Sequence, residues 1–142
     1  MDYFNTFIPC LPPTTTAQQH KRIFSGKNGK AFLGTDSKGI AVQNDLISLL
    51  LPAVPPEEFP RDKPLKVEIG LVYPYRKSEK KRLIKSAVNI PHTSRPDMDN
   101  LLKFLLDCMT RCRFWNDDSQ IYELKATKHW GANPGILICL RV

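Results

Sequence analysis

The stretch RPDMDNLLKFLLD, residues 95–107, sets Asp97 and Asp99 one residue apart, just ahead of an apolar run. Like charges that close repel, so the pair is either solvated or offset by a counter-charge. Pro96 keeps Arg95 out of the helical region, which puts the start of a helix between Pro96 and Asp99. Inside a regular helix, residues two apart point to different faces. At the helix start Asp97 is still outside that geometry, and both carboxylates can converge on one point. The helix N-terminus offsets about 0.3–1 kcal/mol of repulsion per group, and a divalent cation offsets far more. The plain alternative is that Asp97 caps the helix, Asp99 complements its dipole, and Asp99 pairs with Lys103 for about 0.2–0.5 kcal/mol.

Three features favour chemistry over capping. A second acidic pair, Asp117 and Asp118 in FWNDDSQIYEL, falls in a turn just before a strand pattern. Lys103 lies one helical turn beyond Asp99. Oxygen ligands from Asp97, Asp99 and Asp118, together with Lys103, suit Mg²⁺-assisted attack on a phosphodiester. The metal would orient water, and the lysine would stabilise charge on the leaving oxygen. A helix of roughly 15 residues spans about 22 Å. The returning strand must therefore pair so that Asp118 meets the helix N-terminus.

The third feature is charge. The chain carries 142 residues and a net charge of +7, and most of that excess sits in one place. Between Tyr75 and Arg95 the basic residues Arg76, Lys77, Lys80, Lys81, Arg82, Lys85 and Arg95 face only Glu79. Such a block points to a polyanion, most often nucleic acid, with a solvated loop as the alternative. A phosphate-attracting arm beside carboxylates is what a nuclease needs, because acidic groups alone would repel DNA.

The elements that must position these residues are readable from periodicity. Tyr3–Pro9 reads as a strand, CLPPTTTAQQHKR as a loop, and RIFSGKNGKAFLGT as a hairpin turning at Gly26–Gly29. A helix starts near Asp36 or Ser37 and ends before Pro52. Five prolines make PAVPPEEFPRDKP a stiff connector. Leu65, Val67, Ile69 and Leu71 alternate as a half-buried strand. KSEKKRLIKS is a short helix or a mobile arm. Leu101, Leu102, Leu105, Cys108, Met109 and Cys112 give a helix apolar on one side, and two strands close the chain, with Trp130 anchoring a last hairpin. The result is an α+β fold: one domain over residues 1–142, a small mixed sheet and two main helices. Phe114 and Trp115 read as core. His92 and His129 lack a partner at metal spacing and read as surface. The four cysteines form no CxxC pair and read as free thiols. No apolar run is long enough for a membrane span, and the N-terminus lacks a signal-peptide pattern, so a cytoplasmic protein is expected.

RPDMDNLLKFLLD followed by FWNDDSQI resembles the RusA family of Holliday junction resolvases, whose motif runs Asp-x-Asp-Asn-x-x-Lys, an apolar helix, then Asp-Asp-(Ser/Ala)-Gln. The match is strong over residues 95–128, and IPCLPP and DSKGIAVQNDL are consistent with the family's first strand and helix. The resemblance implies a homodimeric, Mg²⁺-dependent endonuclease that makes paired symmetric nicks in four-way DNA junctions, in recombination and repair. It implies Asp97, Asp99 and Asp118 as metal-binding catalytic carboxylates, Lys103 as the catalytic lysine, Asp117 as the partner of Asp118, and Asn100 as a residue that orients the helix start or assists a ligand. The family's Asn and Arg after the Pro-Pro turn are missing, with Gln18, Gln19, His20, Lys21 and Arg22 in their place. A C₂ dimer suits the near two-fold symmetry of a four-way junction, and Arg76–Lys85 would track DNA backbones with little base reading. The alternatives are a non-catalytic DNA-binding relative, or a nuclease of the same chemistry acting on other branched DNA.

Overall fold

The computed structural model describes residues 1–142, apart from the side chains of Gln18, Lys80 and Lys81. Seven strands and three helices run in the order β1 (Tyr3–Pro9), β2 (Lys21–Ser25), β3 (Ala31–Thr35), α1 (Ser37–Leu50), β4 (Leu65–Pro74), α2 (Lys80–Leu83), β5 (Ile90–Pro91), α3 (Met98–Arg111), β6 (Ile121–Gly131) and β7 (Gly135–Arg141). The architecture is α+β with a mixed sheet and two main helices, as the periodicity predicts. The uncertain KSEKKRLIKS segment forms a single helical turn, α2. The short strand β5 has no signal in the sequence, since two residues show no alternation.

Five strands form the main sheet in the order β1-β7-β4-β6-β5, and β2 and β3 form a separate hairpin. The β4–β6 pair is parallel, while β1–β7, β4–β7 and β5–β6 are antiparallel. A parallel pair needs a long crossover, and α3 supplies it. The predicted last hairpin does not form: β6 and β7 are joined by three residues, yet β4 lies between them. The physical reason lies in β4, LKVEIGLVYP, which is buried at six of ten positions, with Leu65, Val67, Ile69, Leu71 and Tyr73 all on one buried face. Central placement, paired on both edges, keeps that strand dry.

One face of the sheet carries the core. Ile8, Leu65, Val67, Ile69, Leu71, Ile136, Ile138 and Leu140 pack beneath Leu46 and Leu50 of α1 and Leu101, Phe104, Leu105, Cys108 and Met109 of α3. Phe114 and Trp115 join that core, and Cys108 and Cys112 are buried free thiols. Among the described residues no helix is long and apolar enough to cross a membrane.

The start of α1 is tightly built. Asp36 caps it by accepting a hydrogen bond from the Gly39 N–H at 2.9 Å, and also accepts from Arg22 Nε at 2.7 Å. Gly39 presses against the base of the hairpin. A Cβ there would sit 2.3 Å from the Thr35 Cγ2 methyl and 2.7 Å from His20 Cβ. Glycine to alanine inside a helix ordinarily adds about 1 kcal/mol of propensity. Here overpacking, worth about 1–3 kcal/mol, outweighs it. Gly39→Ala is expected to lower the thermal midpoint by several degrees, measured by calorimetry. A raised midpoint would show that α1 and the hairpin separate freely.

Candidate functional site

Parallel pairing of β4 and β6 fixes where the two acidic pairs lie. β4 ends at Pro74 beside Gly131 of β6, and α3 runs back against the strands. Its first residues therefore sit near the end of β6, and its last residues near the start of β6. Asp97 lines a cleft with His92, Ser94, Thr127, Lys128 and His129. Asp118 lines a different cleft with Lys21, Gln43, Asp107, Thr110 and Arg111, at the other end of α3. At 1.5 Å per residue, the two ends are separated by roughly 15–20 Å. Within one chain, Asp118 does not meet the helix N-terminus, and among the described residues no three His, Cys, Asp or Glu side chains converge on a metal-sized point. The reason is topological: a helix crossing between parallel strands begins where one strand ends and finishes where the next begins.

Asp97 occupies the N-cap position of α3 in extended conformation (φ −66°, ψ 142°), yet its carboxylate accepts no capping hydrogen bond. Simple capping is thereby ruled out for this residue. Asp99 and Lys103 are exposed. Among the described residues neither they nor Asp97 makes an ion pair within 4 Å, so the expected Asp99–Lys103 surface pair is also missing. Asp97, Asp99 and Lys103 thus leave the α3 entrance with polar groups that have no structural task.

The second acidic pair divides its roles. The Asp117 carboxylate accepts from the Ser119 N–H at 2.8 Å, and a capping box links it to Gln120. That backbone hydrogen bond, first among its causes, holds the Asp117 carboxyl below the usual carboxylate range. Gln120 Nε2 donates to the Pro60 carbonyl at 2.9 Å, and Asn116 Nδ2 donates to the Phe59 carbonyl at 3.3 Å. These bonds clamp the turn to the connector before β4. Asp117 is consumed in building the turn, and Asp118 is left exposed at its edge.

The α3 entrance is held from below by a residue that sequence reasoning missed. Lys128 Nζ donates to the carbonyls of Ser94 at 2.6 Å and Pro96 at 2.7 Å. Burial pushes the Lys128 amine down from its ordinary value, and Asp97 acts against that shift. The register places Lys128 opposite Leu71, on the helix-covered face. A lysine in the apolar alternation Leu124, Ala126, Lys128, Trp130 was the readable signal.

His92 corrects a second expectation. It is only 5 % exposed, not a surface residue. Its ring stacks on Trp130 at 3.7 Å between centroids, with Tyr73 edge-on at 4.8 Å. Burial pushes its pKa down, and its Nδ1 accepts from the Ser94 N–H at 3.2 Å. The histidine is a buried aromatic pillar beneath the loop that carries Asp97.

The basic arm lies at the same end as Asp97. Arg76 sits over the Trp130 ring at 5.2 Å and pairs with Glu79. Arg76 is thus engaged within the arm while remaining exposed, as are Lys77, Arg82, Lys85 and Arg95. The side chains of Lys80 and Lys81, also expected to meet nucleic acid, lie outside the described ones, as does that of Gln18.

Comparison with known proteins bears on this arrangement. Residues 11–141 match the family model described as endodeoxyribonuclease RusA. A crossover junction endodeoxyribonuclease of Lactococcus phage r1t is 37 % identical over 121 residues, covering 83 % of this chain and 82 % of the relative. The crossover junction endodeoxyribonucleases RusA of Escherichia coli K12 and of Enterobacteria phage 82 are each 32 % identical over 62 residues, covering 44 % of this chain and 46 % of theirs.

Replacing Lys128 tests whether the α3 entrance depends on it. Lys128→Met removes two charge-assisted hydrogen bonds. Because the side chain is only partly buried, a net loss of about 1–2 kcal/mol is expected. Hydrogen exchange should quicken at the amides of residues 97–101 while those of β4 and β7 stay protected. Unchanged exchange at the α3 entrance would show that Lys128 does not hold it.

Proposed function

The chain belongs to the RusA family of endodeoxyribonucleases, and from that premise we propose that it is a structure-specific nuclease that resolves four-way DNA junctions by paired nicks. On this reading it works as a homodimer, uses Mg²⁺, and serves DNA recombination and repair. The observation that carries the reading is the Asp97 carboxylate, which sits at a helix N-cap and does not cap, beside an equally free Asp99. The fit to a metal is supported by that donor set. Mg²⁺ commonly takes one or two protein carboxylates and completes its shell with water and substrate phosphate. When bound, the ion supplies Lewis-acid activation of water and neutralises charge on the phosphate.

The chain's own residues would divide the work as follows. Asp97 and Asp99 hold the metal at the α3 entrance. Lys103, one turn further along α3, neutralises charge building on the scissile phosphate or leaving oxygen. Lys128 keeps the Asp97 loop seated. Lys77, Arg82, Lys85 and Arg95 contact phosphates and carry the salt dependence, with Lys80 and Lys81 beside them in sequence. Arg76, tied to Glu79 and Trp130, positions the arm.

Asp118 reaches this site from a second copy. The exposed charges of α3 run Asp99, Lys103, Asp107, Arg111, alternating in sign. If two α3 helices pack antiparallel about a two-fold axis near residue 105, the sequence −, +, −, + meets +, −, +, −. The half-buried Leu102 and Leu106 form an apolar stripe between them. That packing takes the partner's Asp118 toward Asp97 and Asp99. It explains how a triad separated in one chain serves one reaction, and couples cutting to dimerisation.

The test is a cleavage assay on a synthetic four-way junction and a linear duplex with Mg²⁺, comparing the parent with Asp97→Asn, Asp118→Asn and an equal mixture of the two variants. Each variant alone should lose at least about a hundredfold in rate. In a mixed dimer, one composite site carries both substitutions and the other carries neither. Single nicking should therefore recover to roughly a quarter of the parent's sites, while paired cutting stays lost. No recovery on mixing would show that each chain completes its own site. A parent that binds junctions without cutting them would overturn the enzyme reading, and preference for another branched substrate would overturn the four-way specificity.

A further inference from the structure

The β2–β3 hairpin stands apart from the main sheet and is not used by the catalytic arrangement. All five residues of β2 and the first three of β3 are exposed. An isolated two-stranded hairpin is marginally stable in water, and this one shows large apolar side chains on both faces. Ile23 and Leu33 pair across the strands on one side, at 77 % and 69 % exposure. Phe24 and Phe32 pair on the other, at 37 % and 53 %, with ring centroids 5.7 Å apart and planes 24° from parallel.

The aromatic face is shaped as a shelf. Gly34 lies beside Phe24 on that face, and a Cβ there would come 3.0 Å from the ring, so a side chain would lift it. Gly26 and Gly29 close the turn, Gly29 at φ 72°, where glycine is favoured. The base is anchored through Arg22 and His20 to Asp36, the cap of α1. The shelf is therefore held out on a fixed root.

Charge decides what covers it. Between Lys21 and Thr35 the chain has Lys21, Arg22, Lys27 and Lys30 and no acidic residue. Lys27 and Lys30 flank the tip, and Lys21 borders the Asp118 cleft. A flat aromatic pair rimmed by cations complements the π-face of a nucleobase with phosphates on either side. Bases within a continuous duplex are covered by their neighbours. A branch point is where that stacking is interrupted.

We propose that the hairpin is an unstacking wedge, with Phe24 and Phe32 receiving a base at the branch point and Lys27 and Lys30 holding its flanking phosphates. The proposal rests on the branched-DNA reading above and adds the means by which shape would be sensed. Apolar side chains inserted between base steps are an established way to distort DNA.

The experiment uses Asp97→Asn protein, to silence cutting, and four-way junctions carrying 2-aminopurine either at the branch point or midway along an arm. Binding should brighten the branch-point probe several-fold and leave the arm probe unchanged. Phe24→Ser/Phe32→Ser should abolish the brightening and weaken junction binding roughly tenfold, with linear-duplex binding little altered. Phe24→Leu/Phe32→Leu keeps apolar area and folding but lacks the flat faces, and should lose most of the signal. Full brightening in both variants would overturn the wedge. So would loss of dimers from the serine variant in sedimentation, which would assign the shelf to a second copy of the chain. If the Asp97→Asn protein binds the junction but never brightens the probe, the wedge alone fails. If it binds no junction, the functional reading fails with it.

Discussion

The parallel pairing of β4 with β6 is the constraint on which the rest depends. Two parallel neighbours cannot be joined by a tight turn, so the chain must cross the sheet between them. That crossing is α3, and its direction is imposed by the strands. It begins at the Pro74–Gly131 end and finishes at the Leu65–Ile121 end. The basic arm, the Asp97 loop and Lys128 collect at the first end. The Asp118 turn and the root of the β2–β3 hairpin collect at the second. Burial enforces the pairing, because β4 is too apolar to stand at an edge and takes β7 on its other side.

Each end is then stiffened by a different kind of interaction. At the α3 entrance, Lys128 grips two carbonyls while His92, Trp130 and Tyr73 pack as an aromatic pillar. At the far end, Asp117, Gln120 and Asn116 tie the turn to the connector through directional hydrogen bonds. In both places the supporting residues take up the local polar groups and leave Asp97, Asp99, Lys103 and Asp118 uncommitted. The carboxylates proposed to act stand out here because the structure asks nothing of them, while their neighbours are fully employed. Asp36 provides the contrast: it caps α1, anchors the hairpin, and has its carboxyl held low chiefly by the Gly39 N–H.

On the proposed reading, separating the acidic pairs along one helix links chemistry to assembly. A triad complete in one chain could cut wherever that chain met DNA. A triad divided between the ends of α3 favours a reading in which cutting waits for two copies, and a two-fold arrangement brings two sites to a two-fold substrate. The alternating charges of α3 are self-complementary under that operation.

Much of this was legible in residue order. Strand and helix boundaries at Tyr3–Pro9, Ser37–Leu50 and Met98–Arg111 follow from alternation, capping and proline, because those signals act over a few residues. The uncommitted chemistry was legible too, since Asp97, Asp99, Lys103 and Asp118 fall at positions where propensity alone explains little. Strand order was not, because it depends on which strand most needs two covered edges, a comparison made across the whole chain. So β7 paired away from its sequence neighbour, and Asp118 landed at the opposite end of α3 from Asp97. The burial of His92 and the grip of Lys128 were equally hidden, for each gains its role from a partner about 30 or more residues distant. Local chemistry determined which residues could act; the long-range competition for burial decided which of them could meet.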